Sequence, residues 1–489
     1  MTTFTDSAST TKPSSNAKTA ALDSSEHLAN IAQLETLLQA PLQFAGVNDK
    51  KRYTMAERMT HYTVPGVSIA LIDKGKIVWT KTWGTADNST QQTLSDDTLF
   101  QAASISKPLS ALGALKMVEN GDLALDAPIN NYLSRWKLQD NEFTQQQPIT
   151  LAHLLSHTAG TTVHGFAGYA QSAPLPTPLE VLEGSDAANS EAVDVDTLPG
   201  TNFRYSGGGY TVFQVAMEDV SGKTFTALMD ELVLKPAQMN ASSYEQPLPK
   251  TLWPMAATGH ANGQVVEGKF HNYPEQAAAS LWTTPSDLAK FSLAVMNAAR
   301  GDTDAFLTPE MTQQFLTPQR NSWGLGPRLY EHDGKVIGFH HGGANKGFRC
   351  NTVGFLDGRG AVVMTNSDEG DPLIAEILAA AAEVYGWPKQ ASKAQEWFAL
   401  SDTEQATLPG VYSATLGSTD YEVTVEQQDE GLKITFPGVS LPNNFYIIER
   451  EGEMPKLTDC IGFTASFTKD DNKQTVLNMF SYAFTKVAA

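Results

Sequence analysis

A serine followed three residues later by a lysine is the shortest pattern in this chain that could perform nucleophilic chemistry. At the start of a helix the two side chains lie one turn apart on one face, within reach of proton transfer. The spacing occurs five times, beginning at Ser9, Ser15, Ser104, Ser134 and Ser466, so the surroundings must discriminate. Ser9 and Ser15 fall in a Ser/Thr-rich leader, Ser134 follows a loop beside Trp136, and Ser466 sits inside a β pattern. Only Ser104 opens an amphipathic helix, with Ile105, Leu109, Leu112 and Leu115 at helical spacing, Pro108 in the first turn and Gly121 closing it. The N-terminal helix dipole favours developing negative charge and disfavours an ammonium, so a buried Lys107 can be neutral near pH 7 and accept the Ser104 proton. A plainer reading of the same residues has Ser104 as an N-cap and Lys107 solvated.

Two other stretches could join that pair. In FRYSGGGY, Phe203 to Tyr210, glycines allow close backbone approach and could hold Tyr205 at a pocket wall. A tyrosine there relays protons if a neighbouring lysine lowers its pKa; otherwise it is a buried tyrosine beside a flexible loop. In FHHGGANKGFRC, Phe339 to Cys350, a strand bare of side chains at Gly342 and Gly343 can lie against a substrate and aim an N–H at its carbonyl oxygen. His340 and His341 alternate to opposite faces of that strand, so they cannot chelate one metal and at most one faces a cleft.

The elements that must position these residues are readable from periodicity. From Leu28 the pattern is helical, with Ile31, Leu34, Leu37 and Leu38 making one face of a helix packed on a sheet, and Val64–Asp73 and Lys76–Gly84 form a hairpin about Lys74-Gly75. Helices and loops fill 151 to 302, including a Pro-rich acidic segment near 174 to 198. Three strand-like runs then precede a helix from Pro372 to Tyr385. Strands at both ends of a region with helices between predict one antiparallel sheet closed by distant segments, with the insertion forming a second lobe. After a polar stretch near 392 to 404, five runs of period two predict a small all-β domain, a barrel.

Length and composition agree. A chain of 489 residues exceeds one hydrophobic core and has room for two or three domains, and 41% hydrophobic with 18% charged residues describes a folded globular chain. The formal charge is −20, which makes nucleic acid an unlikely partner on electrostatic grounds. The two cysteines, Cys350 and Cys460, fall in different predicted domains and read as free thiols. No apolar run approaches a membrane span, and the first thirty residues lack a signal-peptide core. As given the chain reads as cytoplasmic, or as periplasmic or secreted if a signal has been removed. A G-x-S-x-G elbow, a P-loop and an HExxH motif are all absent.

Together, SISK at 104, YSG at 205 and HGG at 341 resemble the serine β-lactamase and penicillin-binding-protein superfamily, nearest the class C enzymes, related esterases and D-amino-acid peptidases. LAHLLSHTAG (Leu151–Gly160), AASLWTTPSDLAKF (Ala278–Phe291), WGLG (Trp323–Gly326) and VVMTNSD (Val362–Asp368) fit the same order. The tail is similar, more vaguely, to the lipocalin-like barrels of some serine peptidases in this superfamily. The resemblance implies an α+β, two-lobed β-lactamase/transpeptidase-like fold over 28–391, with a leader over 1–27, a linker over 392–400 and a barrel over 401–489. It further implies Ser104 as acylated nucleophile, Lys107 as base, Tyr205 as proton relay, His341 where the lactamases place a lysine, and Ser104 and Ala344 N–H groups as oxyanion hole. Gly207, Gly342 and Gly343 would line the substrate, with Arg349 a possible carboxylate clamp. No cofactor or metal is implied. The expected activity is hydrolysis of esters or small peptides, D-amino-acid peptides included; a weak β-lactamase, a D,D-carboxypeptidase and an inactive ligand-binding protein are the alternatives.

Overall fold

The computed structural model describes residues 15–49, 51–302, 306–416, 419–435, 444–451, 454–479 and 482–487. Strand β1 (Gly66–Asp73) turns through Lys74 and Gly75, both at positive φ, into β2 (Lys76–Asp87), the two-residue hairpin expected. With β3 (Gln92–Thr93), β4 (Arg328–His332), β5 (Lys335–Asn345), β6 (Phe348–Phe355) and β7 (Arg359–Thr365) they form a seven-stranded sheet ordered β4-β5-β6-β7-β1-β2-β3. Every pairing is antiparallel, and Ile69 opposite Val363 joins the first hairpin to the last strand. The closure of one sheet by distant segments is thus observed.

The side-chain alternation of β1 divides the core. Val67, Ile69 and Leu71 pack with Leu34, Leu38 and the face of helix Gly370–Tyr385 on one side. Ala70 and Ile72 pack on the other with Leu109, Leu112, Leu288 and Phe291 and the helical lobe. The first helix runs from Ser15 to Leu34, so helical backbone begins inside the stretch read as a leader, whose residues 1–14 lie outside the described residues. Leu37 and Leu38, expected on the packed face of this helix, lie past its end, and Leu28, where the pattern begins, is 67% exposed.

The C-terminal region forms an eight-stranded antiparallel sheet with its own core around Tyr412, Leu432, Phe467 and Leu477. Its outermost strands, Gly431–Thr435 and Tyr446–Glu451, approach each other through paired backbone hydrogen bonds between Leu432 and Phe445, which nearly closes the barrel. The run from Thr475 to Val487, read as one strand, is two, Thr475–Met479 and Tyr482–Lys486, because the chain reverses between them. Part of another expected strand, 436–438, lies outside the described residues. Cys350 and Cys460 are both free thiols. No helix among the described residues is long and apolar enough to cross a membrane.

Candidate active site

The serine expected to open a helix sits one turn earlier. Ala103–Ile105 is a 3-10 turn, and the α-helix begins at Ser106 and runs to Glu119. Ala103 adopts φ +49°, a conformation costly for a residue with a Cβ. It is held there because the Ser106 hydroxyl donates to the Ala103 carbonyl (2.6 Å) and accepts from the Leu281 N–H (3.0 Å), while the Ala102 N–H donates to the Leu281 carbonyl (2.8 Å). This clamp projects Ser104 into a cavity of about 700 Å³.

Lys107 lies beneath it, 2% exposed, with Nζ 3.1 Å from Ser104 Oγ and donating to the Ala278 carbonyl at 2.8 Å. Burial pulls its pKa down to about 7. Among the described residues no carboxylate pairs with the amine to offset the desolvation. In the tetrads beginning at Ser134 and Ser466 the lysine bonds elsewhere. Lys137 bonds the carbonyls of Asn130 and Leu133, and Lys469 bonds the Thr475 hydroxyl at 2.7 Å.

Tyr205 reaches the same place from the loop before helix Gly207–Ser221 and shares a hydrogen bond with Ser104. Lys107 Nζ lies 5.0 Å from its ring centroid. Burial pushes the phenol well above its ordinary value and the bond to Ser104 opposes this, so the lowering expected from the lysine is not found and the hydroxyl keeps its proton at neutral pH. The ring is wedged between His157, stacked at 4.2 Å, and Trp323, edge-on at 5.6 Å. The glycine triplet serves this wedge from behind. A Cβ on Gly208 would come within 2.7 Å of Val193 and 3.0 Å of the Thr162 carbonyl, and the Gly207 and Gly208 N–H groups donate to the carbonyls of His164 and Val163. Gly207 therefore braces the 162–166 loop and does not line the cavity where it was expected.

Strand β5 closes the opposite wall. Its pairing with β4 ends at His340, leaving the edge from His341 to Asn345 open toward Ser104. The two histidines do point to opposite faces. His341 packs against Trp323 at 5.3 Å, whereas His340 stacks on Tyr330 at 4.4 Å. Both nonetheless line the cavity, since it wraps around the bare strand at Gly342; the expectation that one at most does so is corrected. His341 Nδ1 lies 2.6 Å from the Gly342 carbonyl, and burial together with Lys107 brings its pKa down to about 3. The ring is neutral at physiological pH.

Gly343 and Ala344 also line the cavity, and Gly343 is required: a Cβ there would sit 2.3 Å from the Ala102 carbonyl and 2.6 Å from Cys350 Sγ. Arg349 does not line it. Its guanidinium is held by Asp368 at 2.9 Å and Asp371 at 3.3 Å, so the carboxylate clamp expected there is not assembled. Periodicity and motif reading missed His164 and Phe166 from the loop beside Tyr205, and Ile461 and Phe463 from the barrel. Only the glycine triplet, which requires a close neighbour, hinted at the first pair. Among the described residues no cluster of three His, Cys, Asp or Glu could hold a metal ion.

A serine and a buried lysine at the head of a helix, with a tyrosine from the helical lobe and an open-edged strand facing them, is the architecture of the serine β-lactamases and penicillin-binding proteins. The chain belongs to the Beta-lactamase family, whose model matches residues 52–385. It is 29% identical to Esterase EstB of Burkholderia gladioli over 187 residues, 35% of this chain and 45% of that protein. It is 22% identical to Penicillin-binding protein 4* of Bacillus subtilis (strain 168) over 75% of this chain and 83% of that protein. Among solved structures it is similar to the octameric penicillin-binding protein homologue from Pyrococcus abyssi, with TM-score 0.60 and 22% identity over 88% of this chain and 98% of that chain. That likeness concerns the fold.

Proposed function

We propose that the protein is a serine hydrolase that forms an acyl-enzyme on Ser104 and turns over esters or small peptides, D-amino-acid peptides among them, in preference to β-lactams. The observation that carries this reading is the Ser104–Lys107 pair: a 3.1 Å contact to an amine whose pKa lies at about 7. Neutral Lys107 takes the hydroxyl proton as Oγ attacks the carbonyl carbon. The N–H groups of Ser104 and Ala344 receive the oxyanion, each contributing about 3 kcal/mol when well aimed. Tyr205, still protonated, passes its proton to the leaving group and recovers one from the Lys107 ammonium. Water then attacks the ester by the same relay run in reverse, and Ser104 is restored.

Among the described residues the carboxylate of a β-lactam finds no free cation at this wall, with His341 neutral and Arg349 paired to two carboxylates. The similarity to an esterase and, at 23% identity over 313 residues, to a D-aminopeptidase of Brucella anthropi supports the same substrate classes. The test is covalent labelling by a fluorophosphonate with peptide mapping. Label is expected on Ser104 alone and is lost in Lys107→Ala with the fold retained; label on Ser206 or Ser156 overturns the assignment.

A further inference from the structure

The cavity does not end at Ser104. Beyond Gly342 it continues to the other face of the sheet, where Ile374 and Leu378 of the helix Gly370–Tyr385 form its floor and Ile461 and Phe463 of the barrel form its outer side. Two observations mark this arm as built for a ligand. Gly342 has ordinary φ, and a Cβ there would meet nothing closer than 3.7 Å, so neither backbone nor packing demands a glycine. Its neighbour Gly343, by contrast, cannot accept one. What the missing side chain at 342 leaves open is the passage between the two arms.

The barrel turn, moreover, is held in place. Buried Asp459 accepts the N–H groups of Ile461 (3.0 Å) and Phe463 (2.8 Å) through Oδ1, and the Thr458 hydroxyl donates to the Phe463 carbonyl at 3.0 Å. The Cys460 carbonyl accepts from the Leu42 N–H at 2.9 Å, and Phe44 packs on Tyr446 at 4.7 Å. A turn anchored to both domains presents its apolar side chains at fixed positions, which lowers the entropic cost of binding.

We propose that the Asp459–Phe463 turn is a specificity wall, and that the arm it bounds takes an uncharged apolar group of the substrate, an alkyl or aryl chain on either the acyl or the alcohol side. Asp371 at the same arm, paired with Arg349, disfavours an anionic group. The proposal rests on the Ser104 hydrolase reading and deepens it.

The test measures kcat/KM for p-nitrophenyl octanoate against acetate, and for hexyl against methyl butyrate, in the full chain and in Ile461→Asp and Phe463→Ala. The long-to-short ratio should fall at least tenfold in both variants in one of the two series, and Phe463→Leu, which keeps an apolar body, should hold it within threefold. Ratios unchanged within twofold in both series, with Ser104 still labelled by a small fluorophosphonate, overturn the wall while leaving the hydrolase intact. Failure of the unsubstituted protein to be labelled at Ser104 overturns the hydrolase reading and the wall with it.

Discussion

The imidazole of His157 lies flat against the phenol of Tyr205, ring centroids 4.2 Å apart and planes inclined by 29°. His157 is 2% exposed, and its Nδ1 accepts the N–H of Ser206, the residue after Tyr205. It therefore sets both the backbone and the ring of the tyrosine without touching the cavity. His157→Ala should cost about 2 to 4 kcal/mol of stability, from the space left and the unpaired amide. It should lower kcat for p-nitrophenyl butyrate at least tenfold with KM changed little. Thermal melting and steady-state kinetics on the same preparation check this.

The rate should climb with pH through about 7 and then level. In the proposed mechanism only neutral Lys107 accepts the Ser104 proton, and its pKa stands at about 7; below that, the neutral fraction falls tenfold per pH unit. Burial holds both Tyr205 and Tyr210 well above their ordinary value, so no descending limb is expected up to pH 9.5. A profile of kcat/KM from pH 5.5 to 9.5 reads this directly, and a bell with its falling limb below pH 9 would contradict it.

Nitrocefin should be hydrolysed far less efficiently than p-nitrophenyl butyrate. A lost charged contact to the drug's carboxylate is worth about 1.5 to 3 kcal/mol, equivalent to roughly tenfold to a hundredfold. His341→Lys should narrow the ratio of the two kcat/KM values by about tenfold. Nitrocefin rivalling the ester in the unsubstituted protein would refute the reasoning.

Glu275 supplies a test of stability. Its carboxyl is wholly buried, neither oxygen has a hydrogen-bond partner among the described residues, and burial raises its pKa from 4.5 to about 8. The folded chain thus holds a proton that the unfolded chain releases, and stability falls as pH rises from about 4.5 through 8. Glu275→Gln should abolish this loss, leaving stability similar at pH 4.5 and raising it by a few kcal/mol at pH 8. Denaturant titrations at the two pH values give the difference.

How much of the site was legible depended on how local its determinants are. Ser104 and Lys107 stand three residues apart on one helix, and His340 and His341 separate because a strand has period two, so these placements follow from short-range geometry. The 3-10 turn that carries Ser104 does not, because it depends on Leu281, far along the chain, to hold Ala103 at positive φ. Arg349 looked available in sequence because Asp368 and Asp371 reach it only after β7 returns beside β6. Ile461 and Phe463 carried no signal at all, since a turn in a β pattern says nothing of which surface it will lean on.

The central strand Gly66–Asp73 is apolar on both faces and pairs on one side with Arg359–Thr365. At ribosomal speeds of roughly 5 to 20 residues per second, the partner strand emerges about 15 to 60 s after the first hairpin is made. Through that interval the hairpin carries an open edge and two greasy faces, the features that recruit neighbouring chains into aggregates. Val67, Ile69 and Leu71, which anchor the finished sheet, are then the residues most in need of shelter, and yield of active protein should depend on chaperone supply and temperature more than on the stability of the folded state.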